Sequence, residues 1–296
     1  MPPIQRLCDN KPMSPRVSIV IPAFNNADYL HDTLASALSQ NYADYEVVIA
    51  DHSSSDATST VIDHFADDPR LRILSPTTAG GGAKHNWDRV SQAARGELIK
   101  LLPGDDLIGP DMLSAQVAVF DRHPTVTLCA TRRKLINESG ATIMTGRGIP
   151  RGIVGLHRGA MAVRATVRAG SNLFGEPGCV MMRREALEAI GGWDGTNPYV
   201  IDERSYCRAL LADEGRGHGD FYGLARSLAS FRVSGEQWSV RLSTAQAEQV
   251  VAFHDTLAAQ YPQVIRPFDL YLGNARARIM ARARRLVYAA LGFVGK

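Results

Sequence analysis

Leu101-Leu102-Pro103-Gly104-Asp105-Asp106 closes the apolar run Glu97-Leu98-Ile99-Lys100-Leu101-Leu102. The run reads as a strand, and Pro103-Gly104 breaks it. Two adjacent carboxylates then stand at its carboxyl end, the edge of an open α/β sheet where ligands bind. Side by side they repel each other unless something positive neutralises them. A hard divalent cation is the usual partner, and it commonly bridges to substrate phosphates. The competing reading is a solvated acid pair capping the helix that Pro110 opens.

Upstream, the chain alternates strand and helix. Val17-Ser18-Ile19-Val20-Ile21 is a β-branched run ended by Pro22, which suits a buried parallel strand. The turn Pro22-Ala23-Phe24-Asn25-Asn26 leads into a helix with Leu30, Leu34, Ala37 and Leu38 on one face. Glu46-Val47-Val48-Ile49-Ala50 is the next strand, and Asp51-His52-Ser53-Ser54-Ser55-Asp56 has the chemistry of a loop and helix cap. A helix with Val61, Ile62 and Phe65 inward follows, then the strand Leu71-Arg72-Ile73-Leu74, a Gly-rich loop from Thr77 to Ala83, and a helix stopped by Gly96. This order predicts a doubly wound, mostly parallel α/β sheet.

Downstream, a helix is expected from Pro110 to Arg122 and a strand from Thr125 to Ala130. Between Arg132 and Ser171 the periodicity weakens and Gly and Arg are frequent, which predicts a hairpin and mobile loops. Gly175 to Arg184 reads as a turn into a strand. A short helix then runs to Gly191-Gly192, and Ile201 to Leu211 is helical. Gly217 and Gly219 mark a turn before a strand from Phe221 to Val233, and the pattern from Ser243 is helical with breaks at Pro262 and Pro267.

The 296 residues suffice for one large α/β domain plus an appendage. A net charge of +3 is too small to argue for nucleic acid. Cys8, Cys129, Cys179 and Cys207 form no paired motif, which suits reduced, buried thiols in a cytoplasmic protein. Residues 1–15 are Pro-rich and polar, and read as a disordered lead-in. No run approaches the ~20 apolar residues of a membrane span.

Several ordered motifs carry a resemblance: Val17 through Asn25; Val48 through Asp56; Asn86 with Arg95-Gly96-Glu97-Leu98-Ile99; Asp105-Asp106; Gly175-Glu176-Pro177 through Arg183-Arg184; Gly191-Gly192-Trp193-Asp194; and Asp202 before Arg208. In this order and spacing the chain resembles family 2 glycosyltransferases with the GT-A fold, over about Val17 to Ser239. The resemblance implies a GT-A domain at 16–240 and a helical extension at 241–296. It also implies an inverting transfer of sugar from a nucleotide diphosphate sugar to a hydroxyl of a glycan or lipid-linked acceptor. Pro22, Ala23, Phe24 and Asn25 would face the nucleobase, Asp51 would accept its ring N–H, and Asp105 would hold the ribose. Asp106 would ligate Mg²⁺ or Mn²⁺ through the diphosphate. Glu176, Trp193 and Asp194 would shape the acceptor side. Asp202 would be the base, with Glu203 its rival; the other reading has both acids simply complementing a helix dipole.

The chain departs from the pattern in places. Many relatives carry a third acid shortly before the pair, where Pro103 and Gly104 stand, and many carry a His where Ser234 stands in Arg232-Val233-Ser234-Gly235. Gly80-Gly81-Gly82 matches neither a P-loop nor a dinucleotide fingerprint; Lys84 and Asn86 are its candidates for nucleotide contact. Arg232 is placed either at the diphosphate or in a structural ion pair. Two other functions stay open: a sugar-nucleotide pyrophosphorylase, which needs a basic phosphate loop after the first strand, and an inactive nucleotide-binding scaffold.

From Arg266 onward six Arg and one Lys face a single acid, Asp269. A helix from Tyr271 to Phe293 puts Leu272, Ile279, Met280, Ala283, Leu286, Val287, Ala290 and Leu291 on one face and Arg278, Arg282 and Arg285 opposite, with Arg276 among the apolar residues. This face suits peripheral contact with an anionic membrane at its cytoplasmic side, or packing against the domain or a second copy.

Overall fold

The structure is a computed structural model that describes residues 14–213, 219–235 and 245–290. The N-terminal lead-in up to Met13, Cys8, Gly217, Glu236 to Ser239, the boundary at 240/241, Leu291 and Phe293 lie outside the described residues.

Strands β1 (Val17–Ala23), β2 (Tyr45–Asp51), β3 (Leu71–Ile73) and β4 (Leu98–Leu101) form the parallel part of the sheet, in the order β3-β2-β1-β4. Helices α1 (Ala27–Leu38), α2 (Thr58–Asp63) and α3 (Gly82–Gln92) connect them. β1 and β2 are buried on both faces apart from the last residue of β2, as their unbroken apolar runs require. The strand order reverses between β1 and β4, so the crevice outside their carboxyl ends is the topological switch point.

β5 (Leu107–Ile108) follows the acid pair, and α4 (Met112–Arg122) leads to β6 (Val126–Ile136), which outruns the expected strand by six residues at its end. β9 (Val180–Arg183) runs antiparallel between β4 and β6, and β10 (Asp220–Arg232) lies parallel to β6. The Arg95-Gly96-Glu97 and Arg183-Arg184 motifs meet in this seam. Arg183 Nη1 donates to Glu97 Oε1 at 2.9 Å, and Arg184 Nε donates to the Gly96 carbonyl at 2.7 Å. They fasten the antiparallel strand to the parallel half.

The stretch from Arg132 to Ser171 differs from expectation. It holds the hairpin, β7 (Thr142–Arg147) against β6, and β8 (Gly155–Arg158) against β10. It also holds an eleven-residue helix, α5 (Gly159–Ala169), where loops were expected. Ala162, Val163, Thr166 and Val167 are its buried face, and Gly170 caps it in the left-handed conformation at φ 65°. A Cβ on Gly170 would fall 2.6 Å from the Ala277 nitrogen and the Gly273 carbonyl, so the residue must be Gly for the last helix to cross here. α6 (Arg184–Ala189), α7 (Ile201–Asp213), α8 (Gln246–Gln260) and α9 (Pro267–Ala290) complete the chain. Among the described residues no helix is long and apolar enough to cross a membrane. Cys129, Cys179 and Cys207 are buried free thiols.

Candidate active site

The carboxyl ends of β1, β2 and β4 place the first group of candidate residues together. Pro22 and Ala23 are buried in β1 itself. Phe24 is 51% exposed, and its ring lies 5.8 Å from that of His52 at the end of β2. Asn25 has φ 49°, a left-handed turn conformation that Asn tolerates. Its Oδ1 accepts the Ser55 N–H at 2.9 Å while its own N–H donates to Ser54 Oγ at 2.9 Å. Asp51 is half-buried and accepts the Ser54 N–H and hydroxyl, so the two turns are stitched side by side.

Asn86 lies underneath this platform. It is buried, its amide donates to the Ala23 and Ala50 carbonyls at 3.1 and 3.4 Å, and its oxygen accepts from Thr77 Oγ1 at 2.7 Å. It clamps β1 to β2 from inside. Lys84 is paired with Asp88.

Gly104 brings the acid pair against this platform. A Cβ there would sit 2.4 Å from Asn26 Oδ1. A side chain at this position would therefore displace the Asn26 amide, which accepts the Phe24 N–H at 2.9 Å. Asp105 is half-buried, whereas Asp106 is only 2% exposed. Thr33 Oγ1 donates to the Gly104 and Asp106 carbonyls at 3.1 and 2.9 Å. Arg232, at the end of β10, holds the pair from the other side. Its N–H donates to Asp106 Oδ1 at 3.0 Å, its Nε to the Asp105 carbonyl at 2.9 Å, and its guanidinium lies 4.5 Å over the Tyr29 ring. Arg232 is thus a buried clamp that also donates to the Asn137 and Glu138 carbonyls. Ser234 is buried beside it in sequence.

Burial, and then the neighbouring charge of Asp105, push the Asp106 carboxyl well above the usual carboxylate range. The Arg232 N–H and the charge of Arg133 act against that shift. Among the described residues no cluster of three or more His, Cys, Asp or Glu could cage a metal. Two adjacent carboxylates do suit a Mg²⁺ or Mn²⁺ whose other ligands are phosphate and water. The donor set fits that mode of binding.

The segment from Asn172 to Cys179 connects this pair to α7. Asn172 Nδ2 donates to Asp202 Oδ2 at 2.9 Å and to the Gly175 carbonyl at 3.0 Å. Glu176 forms an ion pair with Arg133 of β6, donated by Nη2 at 2.8 Å. Gly178 then passes Asp106; a Cβ on it would stand 3.7 Å from Oδ2. Asp106 and Asp202 both feel the charges of this Arg133–Glu176 pair. Desolvation, with the negative charge of Glu176 adding to it, pushes Asp202 up to about 7. Glu203 takes another direction. It is 2% exposed, its Oε1 has no hydrogen-bond partner, and burial followed by the Asp202 charge pushes it up to about 8. Arg284 of α9 acts against that shift.

Trp193 and Asp194, expected either on the acceptor side or as packing residues, are held by neighbours in α3 and α7. Trp193 is buried, donates Nε1–H to Ser91 Oγ at 2.9 Å and packs edge-on against Trp87 at 5.1 Å. Asp194 accepts from Arg204 Nε at 2.8 Å and Arg208 Nη1 at 2.7 Å. Burial works against its ionisation, yet the Thr196 and Arg204 hydrogen bonds outweigh it and hold the carboxyl well below the usual range. The pair fixes α7, and with it Asp202. Sequence reading missed Arg133 and Asn172. Neither lies in a recognisable motif, and only their partners across the fold give them a task.

A doubly wound sheet with a carboxylate pair at its switch point and an antiparallel strand wedged beside it is the GT-A architecture. The model of the family described as Glycosyl transferase family 2 matches residues 18–191, and the chain belongs to that family. It is therefore a glycosyltransferase by descent. Chondroitin synthase of Pasteurella multocida (strain Pm70) is 34% identical over 137 residues, which is 46% of this chain and 14% of that protein. Hyaluronan synthase of Pasteurella multocida matches to the same extent. The chain thus spans a small part of the curated relatives it matches. Among solved structures, S. aureus TarS 1-349 in complex with UDP-GlcNAc aligns with TM-score 0.63 and 17% identity, over 83% of this chain and 66% of that one. The mannosyltransferase PcManGT from Pyrobaculum calidifontis, in complex with GDP-Man and Mn²⁺, aligns with TM-score 0.62 and 18% identity, over 96% and 77%.

Proposed function

We propose that this chain is an inverting, metal-assisted glycosyltransferase working at the cytoplasmic side, with residues 16–240 as the catalytic unit and 241–296 as a helical extension. Its donor is a nucleotide diphosphate sugar and its acceptor a hydroxyl of a glycan or lipid-linked sugar. Phe24 offers a ring for stacking on the base, Asn25 the exposed edge of its turn, and Asp51 a carboxylate for the base N–H. Asp105, the more exposed of the pair, takes the ribose, and Asp106 with the diphosphate would hold Mg²⁺ or Mn²⁺. Such an ion, when bound, neutralises charge on the departing nucleoside diphosphate. The named UDP, UDP-GlcNAc and GDP-Man complexes of structural neighbours are consistent with this donor class.

Asp202 takes the proton of the acceptor hydroxyl. As the acceptor oxygen bonds to the anomeric carbon, the bond from that carbon to the diphosphate oxygen breaks, and the nucleoside diphosphate leaves with the electron pair. A base with a pKa near the working pH is best suited to that task, and Asn172 holds the carboxylate in place. Glu176, tied to Arg133, lies between the two acids on the acceptor side.

The observation that carries this reading is that Asp106 and Asp202, from distant parts of the chain, both lie within electrostatic range of one Arg133–Glu176 ion pair, with the Asn172–Cys179 segment touching each of them. The test is turnover of UDP-, dTDP- and GDP-sugars with Mn²⁺. Asp202→Asn should lower kcat by about 10²–10⁴-fold with nucleotide affinity unchanged. Binding with no turnover of any donor would identify a scaffold, and turnover only with added pyrophosphate a pyrophosphorylase.

A further inference from the structure

The last helix, α9, packs with the face that sequence periodicity did not favour. Asp269, Gly273, Ala277 and Ala281 are its buried positions. Gly273 lies against α5 so closely that a Cβ would be 2.0 Å from the Val167 carbonyl. Asp269 is buried at the start of the helix, bound by Arg164 Nε at 2.7 Å. Small residues therefore seat the helix, and its large side chains face outward. Phe268, Tyr271 and Ile279 are 65%, 75% and 62% exposed, and Leu272 is half-exposed between them. At 3.6 residues per turn these positions fall within roughly one-third of the circumference. Arg278 borders the stripe on one side and Arg276 on the other, Arg282 stands within it, and all three are exposed; Arg276 Nη1 also donates to the Arg168 carbonyl of α5 at 2.9 Å.

We propose that this face docks on an anionic lipid surface. Among the described residues, the exposed positions of α9 include no acid. The nearest are Glu248 and Asp255 on α8, which share with Arg278 a hollow of about 280 Å³ beside the stripe, and Asp255 is tied by Asn274 Nδ2 at 3.1 Å. Arg276 and Arg282 stand apart from that hollow. An exposed apolar stripe edged by guanidinium groups is the pattern of a helix lying in the plane of an interface, with its rings among the acyl chains and its cations among phosphates. A second copy on the same face would set arginine rows against arginine rows, since a two-fold contact joins identical patches. Anionic headgroups answer those charges. This inference goes beyond the transferase reading and does not depend on it.

The test is co-sedimentation of the full chain with vesicles of phosphatidylcholine alone and of phosphatidylcholine mixed with phosphatidylglycerol, without donor or acceptor. Binding to the mixed vesicles alone, weakened by high salt, is expected. Ile279→Glu should raise the lipid concentration for half-binding more than about tenfold. Arg282→Gln should raise it about fivefold. These exposed substitutions should leave thermal unfolding and donor hydrolysis unchanged. A chain that hydrolyses no donor yet sediments in this pattern refutes the transferase and keeps the membrane contact. Equal binding to both vesicle types, no binding, or binding untouched by Ile279→Glu overturns the contact. A dimer in analytical ultracentrifugation that Ile279→Glu dissolves assigns the face to a second copy, and overturns it equally.

Discussion

Asp105-Asp106 and Asp202-Glu203 are both adjacent acid pairs, but the fold treats them oppositely. In the first pair the leading acid is half-exposed and the second buried, and backbone donors and Arg232 hold both toward the switch point. In the second pair helical geometry turns the neighbours apart. Asp202 accepts from Asn172, while Glu203 is buried and its Oε1 has no hydrogen-bond partner. At a strand end, a turn can present two consecutive carboxylates to one ligand. In a helix, consecutive side chains sit about 100° apart, so only one of two can reach a given cleft. Adjacent acids thus make a shared site in one region and divide between cleft and core in the other.

Exchanging single oxygens for nitrogens should expose this difference. The largest effect is expected at Asp106. Asp106→Asn should lower Mn²⁺-dependent turnover by about 10²–10³-fold, the scale of removing one electrostatic stabiliser, and should weaken the Mn²⁺ dependence itself; an unaltered metal titration would remove Asp106 from that role. Glu203→Gln should leave kcat within about threefold, which breaks the symmetry with Asp202→Asn; a loss as large as that of Asp202→Asn would exchange their roles.

The pH profile sharpens the contrast. Asp202 is pushed up to about 7, so below that pH it carries a proton and cannot accept one. kcat/KM should rise about tenfold per pH unit toward 7 and then level, and the slope should vanish in Asp202→Asn. The sign for stability is the reverse. The folded state binds the Asp202 proton more tightly than the unfolded chain does, so this site loses stability as pH rises from about 4 through about 7. Asp202→Asn should therefore melt higher than the parent above pH 7 and match it near pH 4. Asn172→Ala should show the smallest effect. Losing a donor to the carboxylate disfavours the charged form, so the profile should shift to higher pH and kcat fall about tenfold; a lower KM-normalised rate with no pH shift would make Asn172 merely structural.

The parallel half of the site was legible because each piece is local. The runs Val17–Ile21 and Glu46–Ala50 declare buried strands, and the residues just after them stand at the strand ends by covalent continuity. The position of Asp51, Phe24 and Asp105-Asp106 follows from that. The second half was legible only as motifs. Trp193-Asp194 looked like surface chemistry, but Trp87 and Ser91 enclose the indole and Arg204 and Arg208 claim the carboxylate. α5 hid among glycines and arginines, although Gly170 after an Ala-rich stretch was a helix stop signal.

The sequence alone determined the parallel sheet, its switch point, the family pattern and the carboxylates at stake, because period and turn chemistry act between near neighbours. Tertiary structure decided how Asp202 and Glu203 are partnered, what stands against Gly104, and which side of α9 is left to solvent. Those depend on close approaches between segments far apart in the chain, such as Gly170 on Gly273 and Gly104 on Asn26. Hydrophobic period registers how apolar a face is, but not which face fits its neighbour; at that crossing the short backbone distance admits only small residues, and the large ones must turn outward.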